Sequence, residues 1–194
     1  MGKWTKLFWN QEKDYIQLAS DNYKAISEHN ERILSAMTLI GGILMVLLVL
    51  AAPFSETKTD AIPAYLLAAA LFCTTFFIFK FSFVKKYALG GLYICFSVLF
   101  SLAIYLSVFH TPDMRATILL GAFCIVPLGL IDRPVRINTF VAFWLTLHTI
   151  LAFNLKPQYA LDDTINCLCF AIVGCFIGNL MIWGRLEGYE AQRL

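Results

Sequence analysis

ILSAMTLIGGILMVLLVLAAP, residues 33–53, decides how the rest of the chain is read. It holds no charged side chain. Its length matches the roughly 20 residues that a helix needs to cross a hydrocarbon core of about 30 Å. Further apolar segments follow at about Ala61 to Val84, Tyr87 to Phe109, Ala116 to Ile131, Ile137 to Leu155 and Thr164 to Trp183. The 194 residues are 59% hydrophobic and 14% charged, whereas a soluble domain carries about a quarter charged residues. The predicted fold class is therefore all-α: a polytopic membrane protein with six transmembrane helices. The opening residues are polar and mixed in charge, unlike a secretory signal. Lys6 stands where a myristoylation pattern wants Ser or Thr.

The placement of Lys and Arg orients the spans. One side collects Lys3, Lys6, Lys13, Lys24 and Arg32, then Lys80, Lys85 and Lys86, then Arg133, Arg136, Arg185 and Arg193. The other side has Lys58, Arg115 and Lys156. The positive-inside rule then places both termini in the cytoplasm and asks for an even number of crossings. The fourth segment is short and contains Pro127, which can kink it. Without it the C-terminus would lie outside, so the charge bias predicts that it crosses.

Residues 10–37 read as one helix that starts in the cytoplasm, with Asn10 as N-cap, and continues into the first span. Ile16, Ala19, Tyr23, Ile26, Asn30, Ile33 and Met37 form a heptad stripe with Asn30 at a core-type position. Two readings stay open. The stripe packs on a partner such as a second copy, or the helix lies on the membrane surface with Trp4, Phe8 and Trp9 at the interface.

Polar chemistry inside the spans is sparse. No Asp, Glu or Arg lies mid-span, and Lys80 sits near an inner end where it can snorkel. That disfavours an ion-coupled carrier. His148, flanked by Thr146 and Thr149, is read first as a histidine that bonds a neighbouring helix, and second as a ligand or proton-sensing group. His110 is read as interfacial. An outward-opening small-molecule site could use Tyr105, His148 and Asn166, against the simpler reading of cap and loop chemistry. Asp163, with Asn154, Lys156 and Asp162 around it, is placed to cap the sixth helix. The six cysteines, Cys73, Cys95, Cys124, Cys167, Cys169 and Cys175, fall in spans and read as small apolar packing groups. Gly174 and Gly178 form a G-x-x-x-G that lets another helix, or a dimer mate, approach closely, with Asn179 beside it. In the cytoplasmic loop Ile131 to Asn138, Pro134 suits the first turn of the fifth helix, Asp132 its cap, and Arg136 can bond Asp132 or lipid phosphate. No metal site, cofactor motif, nucleic-acid motif or soluble catalytic motif is expected. The chain reads as a non-enzyme.

Asp132-Arg-Pro134-Val-Arg136, Asp163-x-x-Asn166, Gly174-x-x-x-Gly178 and the run from Arg185 to Leu194 resemble the N-terminal six-helix membrane domain of bacterial, clostridial-type GGDEF diguanylate cyclases. The layout agrees over the whole chain and the motifs over Ile131 to Leu194. The resemblance implies a sensory input domain of the bacterial cytoplasmic membrane, acting as a homodimer. It would carry a ligand or membrane signal through the sixth helix to a cytoplasmic output domain. Residues 1–32 would be the cytoplasmic helix, 33–183 the membrane domain and 184–194 the start of a signalling helix, with Arg185, Leu186 and Tyr189 opening a coiled coil. This chain has no GG[DE]EF sequence and by itself should not make cyclic di-GMP. A small transporter or channel subunit and a membrane adaptor are the alternatives.

Overall fold

A computed structural model describes residues 11–54, 59–81 and 84–193. Among these residues every regular element is helical. In chain order they are α1 (Gln11–Asp21), α2 (Tyr23–Ala51), 3-10 turns at Ala52–Phe54 and Thr59–Ala61, and α3 (Ile62–Ile78). A 3-10 turn at Lys85–Tyr87 leads into α4 (Ala88–Ile104), whose end widens into a π-helical turn, Tyr105–His110. Then come α5 (Thr117–Gly129), α6 (Pro134–Leu155) and α7 (Pro157–Arg193). Asn10, Trp4, Phe8 and Trp9, and the charges Lys3, Lys6 and Lys58, lie outside the described residues.

Among the described residues four stretches are long and apolar enough to cross a membrane: Tyr23–Phe54, Lys85–His110, Pro134–Leu155 and Pro157–Gln192. The other two expected spans are shorter helices, α3 with 17 residues and α5 with 13. At 1.5 Å per residue α5 covers only about 20 Å of a core about 30 Å thick. It contains Pro127, which removes one backbone donor from its last turns, and it ends at Gly129, because Leu130 has extended backbone, φ −101° and ψ 144°.

The predicted single helix over 10–37 is broken. Asn22 leaves helical geometry at φ −112° and ψ 21° and separates α1 from α2. Its backbone N–H and its side-chain Nδ2 both donate to the Leu18 carbonyl, each at 3.0 Å. A short amide that competes for a backbone acceptor loosens a helix at that point. The heptad stripe is also not a free seam. Ile26, Asn30, Leu34, Thr38, Gly42 and Met45 form the inward face of α2, while Ile16 and Tyr23 of the proposed stripe are exposed. On the other side of α2, Leu39, Ile40, Ile43, Leu44, Val46 and Leu47 stand about half exposed. A continuous apolar surface of that kind suits hydrocarbon rather than water.

Close helix approaches replace hydrophobic driving force in a lipid setting, so shape matters most. A Cβ on Gly174 would stand 2.5 Å from the Phe123 carbonyl oxygen, and one on Gly178 would stand 2.6 Å from that of Pro127. The G-x-x-x-G face therefore packs within the chain, backbone to backbone against α5. Aromatic rings fill the space between α4, α5 and α6. Phe100 stacks on Trp144 with centroids 5.5 Å apart and meets Phe123 at 4.9 Å.

α7 is one helix of 37 residues, about 55 Å long. It runs without a break through Gly184 into the polar stretch that follows the sixth span. It also starts earlier than the expected sixth span, at Pro157, immediately after Lys156 turns the chain with φ −142° and ψ 60°. Asp163 therefore lies inside the helix and is not its cap.

Candidate functional site

The Lys156 end of α7 is built around a charge closed off from solvent. The Lys156 side chain is 0% exposed and that of Asp163 is 2% exposed. Lys156 Nζ meets Asp163 Oδ2 at 2.6 Å and donates to the carbonyls of Ser107 at 3.0 Å and Met114 at 2.7 Å. The two carbonyls take two of the three donors of an ammonium, and the Asp163 carboxylate faces it as an ion pair. The local sequence explains why one carbonyl is available. In the widened turn the Thr111 N–H bonds back to Leu106 O at 3.0 Å. The corresponding donor for Ser107 O would belong to Pro112, which has none. Lys156 satisfies that oxygen. Asp163 Oδ1 in turn accepts from the Ala116 N–H at 3.1 Å, just before α5. One ion pair thus joins the ends of α4, α5, α6 and α7. Outside it, Arg115 pairs with Asp162 at 3.3 Å in an exposed position.

His148 is fully buried on α6. Neither ring nitrogen has a hydrogen-bond partner, so the predicted bond to a neighbouring helix is not made. Tyr105 lies elsewhere, in a lateral groove of about 790 Å³ between α3 and α4. There Tyr93, Ser97, Ser101 and Tyr105 recur every fourth residue of the α4 wall, and Leu67 and Leu71 face them from α3. Neither His148 nor Asn166 lines that groove, and Asn166 is exposed on the outside of α7. The structure does not gather Tyr105, His148 and Asn166 into one site.

The other end of α7 is tied by different chemistry. Arg185 Nη1 lies 3.2 Å from His29 Nε2 on α2 and donates to Leu128 O at 3.4 Å. Ile182 and Leu186 are buried and Tyr189 packs against the core, so the proposed coiled-coil positions face this chain's own interior. Trp183 meets Tyr15 of α1 edge-on, with centroids 6.5 Å apart. Nearby, Asn30 binds the backbone of Ile131 twice: Nδ2 donates to its carbonyl at 3.0 Å and Oδ1 accepts from its N–H at 3.2 Å. That pairing holds the loop before α6.

In this loop Pro134 begins α6, as predicted, but no side chain caps the helix. Asp132 instead accepts from the Tyr93 hydroxyl at 2.8 Å and pairs with Arg136 at 3.5 Å. The Arg136 partner was foreseen; the Tyr93 partner was not. Burial and the Asp132 carboxylate raise the Tyr15 phenol above its ordinary pKa and keep it neutral. Asn179 lies half-buried beside the Gly178 approach. All six cysteines are free thiols. Among the described residues no group of His, Cys, Asp and Glu could hold a metal ion.

Sequence reasoning missed Lys156 because it was counted as a loop charge. Pro112, five residues after Ser107, is the one local sign of an acceptor needing a donor. No family model, curated protein or solved structure matches the chain.

Proposed function

We propose that the chain is a membrane-embedded sensory input domain with six crossings and both termini in the cytoplasm. Its seventh helix carries the signal to a GGDEF-type output domain as part of a homodimer in the bacterial cytoplasmic membrane. The observation that supports this reading is the continuity of α7. One unbroken helix of 37 residues starts at the Lys156–Asp163 pair, where four helices meet, and runs to Arg185, which bonds His29 and the end of α5. A displacement at one end has a rigid route to the other. Signalling then requires two arrangements of the bundle with different affinity for the stimulus. Because Leu186 packs inward, a dimer would meet on the exposed side of α7, around Glu187 and Gly188. A carrier gains less support, since among the described residues no charged one lines the lateral groove.

The test fuses the chain after Arg193 to a diguanylate cyclase domain, with one to seven residues inserted at the junction. Cyclic di-GMP made by membranes is then measured. Output that rises and falls with the helical repeat supports transmission through α7. Output that ignores insertion length removes the reading.

A further inference from the structure

A pocket of about 380 Å³ opens where α1, α2, the start of α4 and the loop before α6 converge. Its cationic wall is Lys86, Arg133 and Arg136, and Tyr15, Tyr23 and Ser27 add hydroxyls from α1 and α2. Among the described residues its one carboxylate, Asp132, is already engaged by the Tyr93 hydroxyl and by Arg136. Its one amide among them, Asn30, is already bound to the Ile131 backbone through both of its polar atoms. Donors and positive charge therefore exceed acceptors. The size suits a small-molecule cleft, and guanidinium groups match the geometry of phosphate oxygens.

The position adds a second argument. The pocket lies at the polar end of α2, among the cations that flank the spans. Where such spans cross a bilayer, cations flanking them meet its charged phosphate groups, and basic pockets between membrane helices take anionic headgroups. One wall is α1, which is separated from α2 by the break at Asn22 and carries Tyr15 and Ala19 into the pocket. We propose that this pocket binds an anionic, phosphate-bearing group, and that its occupancy clasps α1 to the start of α6. The proposal holds whether or not the chain signals.

The neighbouring lysines provide an internal control. Lys86 lines the pocket, whereas Lys85 is paired with Glu31 and does not line it. The full chain in neutral detergent is titrated with dihexanoyl phosphatidylglycerol, dihexanoyl phosphatidylcholine or inorganic phosphate at constant ionic strength. Thermal melting and tyrosine fluorescence are followed. The glycerol lipid should raise the melting temperature and the choline lipid should not. Lys86→Gln and Arg133→Gln should each weaken the apparent affinity about tenfold, the scale of one lost charge-assisted bond. Lys85→Gln should leave it unchanged. A response to inorganic phosphate as well would identify the phosphate itself as the ligand. A response to the lipid alone would identify a headgroup. No response to either anion, an equal response to the choline lipid, or equal weakening by Lys85→Gln and Lys86→Gln would overturn the site.

Discussion

At the Lys156 end of α7, an ammonium meets two carbonyls and a carboxylate and the charge is sealed inside. At the Arg185 end, Lys86, Arg133 and Arg136 face an open pocket in which the one carboxylate among the described residues is already engaged. Both ends hold the same helix in place. The sealed end is a joint, since nothing about it can change without exposing or orphaning a charge. The open end has unspent donors and is the side on which a ligand can still add a bond. Stability should therefore depend most on the first end and ligand response on the second.

The comparison breaks most readily at the buried pair. Asp163→Asn removes the negative partner and leaves Lys156 to two carbonyls. Breaking a buried pair from one side costs about 3–5 kcal/mol, which should appear as a large fall in the melting temperature in detergent. The double substitution Lys156→Met with Asp163→Leu should recover much of that loss, because it removes both charges together. If Asp163→Asn unfolds no more easily than the unchanged protein, the sealed end is not the joint.

Next comes the contact of α7 with α5. Gly178→Ala places a methyl 2.6 Å from the Pro127 carbonyl oxygen, where backbone must shift. Overpacking of this kind costs about 1–3 kcal/mol. Gly184 has nothing within 4 Å of the same added atom. Gly184→Ala should instead be neutral or gain up to about 1 kcal/mol through helix propensity. Equal effects at the two glycines would mean that α7 does not press on α5. Asn30→Ala should cost about 1–3 kcal/mol, because it leaves the buried Ile131 N–H without a partner. Proteolysis of the loop before α6 should then also accelerate.

These contrasts show where the sequence could be read and where it could not. The apolar blocks were legible because hydrocarbon demands long uncharged runs. Gly174 and Gly178 were legible as a close approach, since small residues four apart leave a groove on any helix. The identity of the helix that fills the groove was not, because that is a long-range fact. Asn30 stood out as a polar group at a core position, yet its partner, the Ile131 backbone, lies 101 residues away. The pairing of Asp132 with Arg136 was legible because it is local, at i and i+4. Lys156 was illegible for the opposite reason. A lysine beside a proline looks like an exposed turn, and its burial rests on carbonyls 42 and 49 residues earlier. Asp163 reads as a cap in the sequence because α7 begins about two turns sooner than hydropathy alone suggests.

The smallest effect separates two kinds of buried polar group at the sealed end. Lys156 has two carbonyl acceptors and a paired carboxylate, whereas His148, equally buried, has no partner for either ring nitrogen. An unpaired buried polar group contributes a desolvation cost and no compensating bond. His148→Leu should therefore leave the melting temperature unchanged or raise it, with a free-energy change within about 1 kcal/mol. A histidine that anchored a neighbouring helix would cost more than this when replaced. A clear fall in stability for His148→Leu would show that the imidazole has a partner, such as an ordered water, and would move it from the packing of α6 into the joint itself.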